Sequence, residues 1–85
     1  MVQREIVIKM KEGLHAKPVA DFVNHAQKFK SDIKIVKDGE TVNGKSILNM
    51  LTLGAKYNTK LMLMIKGKDE VKALDVLSKL LLEGE

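Results

Sequence analysis

Cysteine and tryptophan are both missing from the 85 residues, proline occurs once (Pro18), and the aromatic side chains are Phe22, Phe29 and Tyr57. Without cysteine there is no disulfide framework and no thiolate metal site, a pattern that fits a reducing compartment. So few aromatics leave little for a stacking platform on single-stranded nucleic acid, the more so because both phenylalanines fall on core periodicities. No run of about 18 apolar residues occurs, and no basic-then-apolar leader opens the chain. The expectation is a cytoplasmic protein without membrane insertion.

The hydrophobic share of 45% and the charged share of 31% are ordinary for a soluble globular domain. The length predicts a single domain over residues 1–85, with room for one core but not for a deep catalytic cleft as well. The formal net charge of +4 fits acidic partners, and equally fits a small domain that simply carries surplus charge.

Periodicity predicts seven elements. A first strand runs near Val2–Met10, with Ile6, Ile8 and Met10 alternating with Val7 and Lys9, and ends at Gly13. A helix follows over Ala16–Phe29, because Val19, Phe22, Val23, Ala26 and Phe29 form one stripe. A second strand covers Asp32–Lys37, with Ile33 and Ile35 facing one way. Asp38-Gly39 is a strong hairpin signal, so a third strand follows through Asn43. A short helix over Ile47–Leu53 stops before Gly54. The apolar run Lys60–Lys66 reads as a central strand, and a last helix covers Asp69–Leu82 with the stripe Val71, Leu74, Leu77 and Leu81. The order β-α-β-β-α-β-α gives an α+β fold. Helix stripes need an apolar sheet face, so the economical solution is one antiparallel sheet with all three helices on one side. The other face carries Val7, Lys9, Lys34, Val36, Met62 and Met64 and is left toward solvent.

Two segments concentrate the chemistry. In Gly13-Leu14-His15-Ala16-Lys17-Pro18, Pro18 belongs in the first helical turn, where its missing N–H costs nothing, so His15 falls at or next to the N-cap. The N–H groups of Ala16 and Lys17 then point outward beside the positive end of the helix dipole, an arrangement that binds phosphate. That positive end disfavours imidazolium and keeps a ring nitrogen neutral and nucleophilic. Once phosphorylated, the ring's dianionic group would meet free N–H donors and Lys17. Ala20 lies on the outer face with Lys17, Asn24 and Lys28, where a small side chain admits a large partner, although alanine is also simply a good helix former. Local physics alone leaves His15 between two readings, a nucleophile or a polar cap without chemistry. His25, on the flank of the core stripe, reads as a partly exposed structural residue. No third ligand group lies near either histidine, so no metal is expected, and nothing calls for a cofactor.

The second segment is Asn43 to Leu51. Ser46 precedes an apolar run and is a natural N-cap. In the short helix, Met50 and Leu53 share one face while Ile47, Leu48 and Leu51 share the other. A two-turn helix on a sheet buries one face fully, so the spare face is either an exposed binding patch or is covered by neighbours. Ser46 reads first as a plain cap. A phosphoserine there would place about two negative charges beside the patch and repel an acidic partner.

Gly-Leu-His-Ala-Lys-Pro at 13–18 resembles the active-site signature of the HPr family, the histidine-containing phosphocarriers of the bacterial phosphoenolpyruvate:sugar phosphotransferase system. Lys-Ser-Ile-Leu-Asn-Met-Leu-Thr-Leu-Gly at 45–54 resembles the regulatory-serine segment of its Gram-positive branch. Length, element order and the stretch Asp32–Gly39 fit as well, so the resemblance spans the chain. It implies an open-faced sandwich with strand order 1-4-2-3. It further implies that Nδ1 of His15 accepts a phosphoryl group from phosphorylated enzyme I and passes it to a sugar-specific enzyme IIA. Such a protein is a carrier without independent enzymatic turnover, a monomer that docks transiently. The matching interface positions are Ala16, Lys17, Ala20, Asn24, Ile47, Leu48 and Leu51. For Ser46 the resemblance implies modification by an HPr kinase/phosphorylase and a corepressor role with the catabolite control protein. Most family members have arginine where this chain has Lys17. A planar two-pronged phosphate contact is thereby replaced by a flexible point charge. In some members a C-terminal carboxylate approaches the active-site cation; no role is assigned to Glu85.

Three other readings compete with this one. Regulatory paralogues of the Gram-positive type lack the active histidine, which His15 supplies here. A nitrogen-branch phosphocarrier is disfavoured by Lys45–Gly54. A basic nucleic-acid-binding module would want clustered lysines and exposed aromatics. Here lysines are dispersed and aromatics few, so no direct nucleic-acid partner is expected.

Overall fold

The computed structural model describes residues 1–83; Gly84 and Glu85 lie outside that range. The elements are β1 (Val2–Val7), α1 (Ala16–Ala26), β2 (Asp32–Lys37), β3 (Glu40–Asn43), α2 (Ile47–Thr52), β4 (Lys60–Lys66) and α3 (Glu70–Glu83). The strands form one sheet in the order β1-β4-β2-β3. Every pairing is antiparallel, with Ile6 opposite Leu61, Ile35 opposite Leu63 and Ile35 opposite Val42. The order β-α-β-β-α-β-α and the α+β assignment therefore hold.

Alternation decides which side of the sheet the helices cover. In β4, Leu61, Leu63 and Ile65 are buried while Met62 and Met64 between them are half-buried. Ile6, Ile33, Ile35 and Val42 extend the same buried face across the other strands. These side chains join Val19, Phe22, Val23 and Ala26 of α1, Met50 of α2, and Ala73, Leu77 and Leu81 of α3 in a single cluster. The opposite face, with Val7, Lys34, Val36, Met62 and Met64, is left partly open as the sequence suggests. At the β2–β3 hairpin both turn residues have positive φ (Asp38 +51°, Gly39 +81°). This is the primed turn geometry that matches strand twist, and it fixes the register on either side.

Several boundaries and one stripe member differ from expectation, α3 running over Glu70–Glu83 rather than Asp69–Leu82. The β1 ladder ends at Val7 rather than Met10, although Ile8 still pairs with the segment before β4, its N–H donating to Thr59 O (2.9 Å) and its carbonyl accepting from Asn58 N–H (2.6 Å). Helix α1 stops at Ala26, not Phe29. The N–H groups of Lys28 and Phe29 reach back only three residues, to His25 O and Ala26 O. Lys45 Nζ then takes the Phe29 carbonyl at 2.7 Å, closing the helix end from outside. Helix α2 ends at Thr52 rather than Leu53, with Gly54 at φ +65° just beyond. In α3 the first member of the stripe is wrong. Val71 is 72% exposed, and the buried position near the helix start is Ala73. At 100° per residue Val71 lies well around the helix from the line joining Ala73, Leu77 and Leu81.

The start of α3 is tied down across the fold. Asp69 accepts from Lys30 N–H (2.9 Å), Ser31 N–H (3.1 Å) and the Ser31 hydroxyl. The Ser31 hydroxyl and then the Lys30 N–H hold its carboxyl below the usual aspartate range. Glu70 accepts from Gly67 N–H (3.0 Å) and faces the N-terminal ammonium at 3.4 Å. The Gly67 N–H is the main reason its carboxyl is also lowered.

Candidate functional site

His15 stands where a loop turns into α1. Three backbone hydrogen bonds shape that loop: Gly13 N–H to Met10 O (3.0 Å), Leu14 N–H to Ala55 O (2.8 Å) and His15 N–H to Gly13 O (3.0 Å). Leu14 is buried and anchors the turn to the core. Gly13 sits at φ +76°, and a methyl group on it would lie 2.7 Å from the Ala55 carbonyl oxygen. Only glycine fits there without strain. The turn therefore rests on the backbone of Ala55 and Lys56.

His15 is the N-cap of α1, with extended backbone (φ −95°, ψ −169°) and a carbonyl that accepts from Val19 N–H at 3.0 Å. Its side chain does no capping, and the first turn holds no acidic residue. The N–H groups of Ala16 and Lys17 have no acceptor among the described residues, and Pro18 is buried at the third helical position. The imidazole is 45% exposed, and its Nε2 lies 3.3 Å from Glu12 Oε1. Nδ1 has no partner among the described residues. Lys17 is exposed and in no ion pair there. The outer face of α1 continues through half-buried Ala20 to exposed Asn24 and Lys28.

Ser46 caps α2 in the ordinary way. Its Oγ accepts from Asn49 N–H (3.2 Å), Asn49 Oδ1 accepts from Asn43 N–H (3.2 Å), and Asn43 Oδ1 accepts from Lys45 N–H (2.9 Å). Gln27 Nε2 donates to Lys45 O at 3.1 Å, so the start of α2 lies against the end of α1. The chain leaving α2 meets the His15 loop through the Leu14–Ala55 bond. The two helices are thus antiparallel neighbours. His15 and Ser46 therefore sit at opposite ends of the α1–α2 pair. Between them Met50 of α2 and Leu53 just after it are buried, while Ile47, Leu48 (71%) and Leu51 are exposed. Of the two outcomes left open for this helix, the spare face is uncovered.

His25 is held differently. Its Nδ1 lies 2.8 Å from Asp21 O on the previous turn, and the side chain is part-buried, the geometry of a structural residue. Sequence reasoning missed Glu12 beside His15. Its signal is the spacing Glu12-x-x-His15, which becomes a contact only because Gly13 reverses the chain. It also missed Lys45, whose amine closes α1, since that partnership joins residues 16 positions apart.

Comparisons with known proteins place this geometry. Residues 2–83 match the family described as PTS HPr component phosphorylation site. The phosphocarrier protein HPr of Buchnera aphidicola subsp. Schizaphis graminum is 44% identical over 85 residues, the full length of both chains. The HPr-like protein Crh of Bacillus subtilis is 41% identical over 78 residues, 92% of each chain. The solved structure of HPr-C-His from Thermoanaerobacter tengcongensis superposes with a TM-score of 0.91 at 42% identity, covering 95% of this chain and 91% of that one. With a fold, strand order and sequence shared along its whole described length, the chain belongs to the HPr family of phosphocarriers of the phosphotransferase system.

Proposed function

We propose that this chain relays phosphoryl groups on Nδ1 of His15, taking them from phosphorylated enzyme I and delivering them to sugar-specific enzyme IIA proteins. The observation that carries the reading is the uncapped start of α1. An exposed imidazole stands beside two unpaired N–H groups, with Nδ1 free. In the loading step the Nδ1 lone pair forms the N–P bond while the donor's bond to phosphorus breaks and its electron pair stays with the donor. In delivery the N–P bond breaks in line, and its pair returns to Nδ1. The Ala16 N–H, the helix dipole and the Lys17 ammonium stabilise the charge on the group carried. Lys17 does so as a mobile point charge, without the fork of an arginine.

Docking falls to the surface made by Ala16, Lys17, Ala20 and Asn24 of α1 with Ile47, Leu48 and Leu51 of α2. A compact apolar patch next to a cationic helix start suits transient contact with acidic partners. The chain acts as a monomer in this scheme, since that face must be open to each partner in turn.

Ser46 is the regulatory position, modified by an HPr kinase/phosphorylase, and the modified form serves the catabolite control protein as corepressor. Ser46 sits at the far end of the α1–α2 pair from His15, and the charge of a phosphoserine there is screened in solvent over about 8–10 Å. Its charge therefore acts on partners at the shared surface rather than on the imidazole itself. The reading is tested with phosphoenolpyruvate, enzyme I and intact-mass measurement. One acid-labile phosphoryl adduct is expected, retained in His25→Ala and absent in His15→Ala. An adduct that persists in His15→Ala overturns it.

A further inference from the structure

Among the described residues, Glu12 is the one acidic group that touches the His15 ring. The turn from Met10 to Gly13 folds it back so that Oε1 lies 3.3 Å from Nε2, on the side of the imidazole away from the free nitrogen. The backbone turn, held by the Gly13–Met10, Leu14–Ala55 and His15–Gly13 hydrogen bonds, brings the two residues together, while the Glu12 side chain itself is 81% exposed.

We infer that Glu12 is a positioning residue for phosphoryl transfer, which holds a proton on Nε2 of His15 and so keeps Nδ1 as the free nucleophile. This rests on the carrier role proposed for His15. A neutral imidazole carries one N–H and one lone pair, and which nitrogen has which is set by the partner each meets. A carboxylate oxygen beside Nε2 attracts the N–H there. At Nδ1 the opposite holds, because the N–H groups of Ala16 and Lys17 and the dipole of α1 repel a proton and welcome a lone pair or an anion. The two sides of the ring thus reinforce one choice of tautomer.

The same contact serves the loaded state. When Nδ1 gains the phosphoryl group the ring retains its Nε2 proton and becomes cationic, and Glu12 faces that charge. On delivery the N–P bond breaks, its electron pair returns to Nδ1, and the leaving group is a neutral imidazole with its proton still on Nε2. Without that proton the ring would have to depart as an imidazolate, a far poorer leaving group. Glu12 therefore favours loading by tautomer and unloading by keeping the leaving group protonated, while touching neither the phosphorus nor the partner's reacting atom.

The test is two-bond proton–nitrogen NMR of the His15 ring, which reports each tautomer directly, run with transfer kinetics on the wild-type chain, Glu12→Ala and Glu12→Gln. In the wild type the Nε2–H form should dominate. Glu12→Ala should raise the share of the Nδ1–H form about two- to fivefold, the span an exposed carboxylate contact delivers. The loading rate should fall only in proportion to the Nε2–H share that is lost, a smaller change than the rise in the minor form. Glu12→Gln keeps an oxygen acceptor without the charge and should fall between the two. An unchanged ring spectrum in Glu12→Ala, with His15 still phosphorylated, overturns the role of Glu12 and leaves the carrier intact. A wild-type chain that takes no phosphoryl group on His15 overturns the carrier reading itself, whatever the tautomer.

Discussion

Helices α1 and α2 begin in opposite ways. At the start of α2, Ser46, Asn49 and Asn43 satisfy the loop and the first turn with their own side chains. At the start of α1 no described residue does so: the cap residue makes no side-chain hydrogen bond, the first turn has no carboxylate, and a proline fills the third position. Capping is worth about 1 kcal/mol, so the bare start gives up stability that the capped one keeps. In return, donors and dipole at His15 are free for an anion brought from outside. The difference separates a helix start left open beside an exposed imidazole, which the proposed carrier role would use, from one that closes on itself with its own side chains.

The sharpest break of this comparison is His15→Ala. Phosphoryl uptake should vanish, while stability changes by no more than about 0.5 kcal/mol, because the ring is exposed and caps nothing. Denaturation that fell by several times that amount would mean the imidazole is structural after all. Gly13→Ala comes next. The left-handed backbone and the clash with Ala55 O should cost about 1–3 kcal/mol. Misplacing His15 by around 1 Å should lower transfer by about 100-fold. A variant with native stability and native rates would show that the turn does not position the ring.

Lys17→Ala removes the charge and leaves the helix start. Hydrogen bonds to charged groups contribute about 1.5–3 kcal/mol, so transfer should slow by about 10–100-fold. Lys17→Arg should equal or exceed the natural rate. Stopped-flow transfer from enzyme I would decide, and an unaltered rate in the alanine variant would remove Lys17 from the site. At the other helix, Ser46→Ala should do the reverse of His15→Ala. About 1 kcal/mol of stability should be lost, seen as a drop of about 4–8 °C in Tm, with uptake on His15 within about twofold. If uptake fell as far as in Lys17→Ala, the two helix starts would not be independent.

The smallest effect concerns the third helix start and appears only in acid. Asp69 has a lowered native carboxyl, held first by the Ser31 hydroxyl. Its contribution is therefore complete above the ordinary aspartate range and is lost as pH falls toward the lowered native value, below about pH 4. Asp69→Asn should flatten that limb of a denaturation-against-pH curve and leave phosphoryl transfer alone. A limb as steep as the wild type's would mean that other carboxylates dominate.

Strong, uninterrupted periodicities were legible. The bounds of β2 and β4 match expectation because alternating apolar residues and flanking charges leave no other register for a strand with a buried face. The division of α2 into a Met50–Leu53 face and an Ile47–Leu48–Leu51 face was legible for the same reason. Phe29 misled because it continues the spacing of α1, yet the helix is closed by Lys45, a residue from another segment. Val71 misled because it continues the three-residue spacing of Leu74 and Leu77, when the position under the helix was the smaller Ala73. For the candidate site, Gly13, His15, Lys17 and Ser46 could be picked out from local chain chemistry. Glu12 could not, since its contact depends on the turn closing.

The order of elements, the face each strand buries and the position of an uncapped histidine before Pro18 follow from the amino-acid order alone, because hydrophobic spacing and cap chemistry act over a few residues. Where α1 ends, how far His15 lies from Ser46, and which nitrogen of the imidazole faces a carboxylate were settled only by packing. Those depend on contacts between segments distant in the chain, and no local pattern carries such distances.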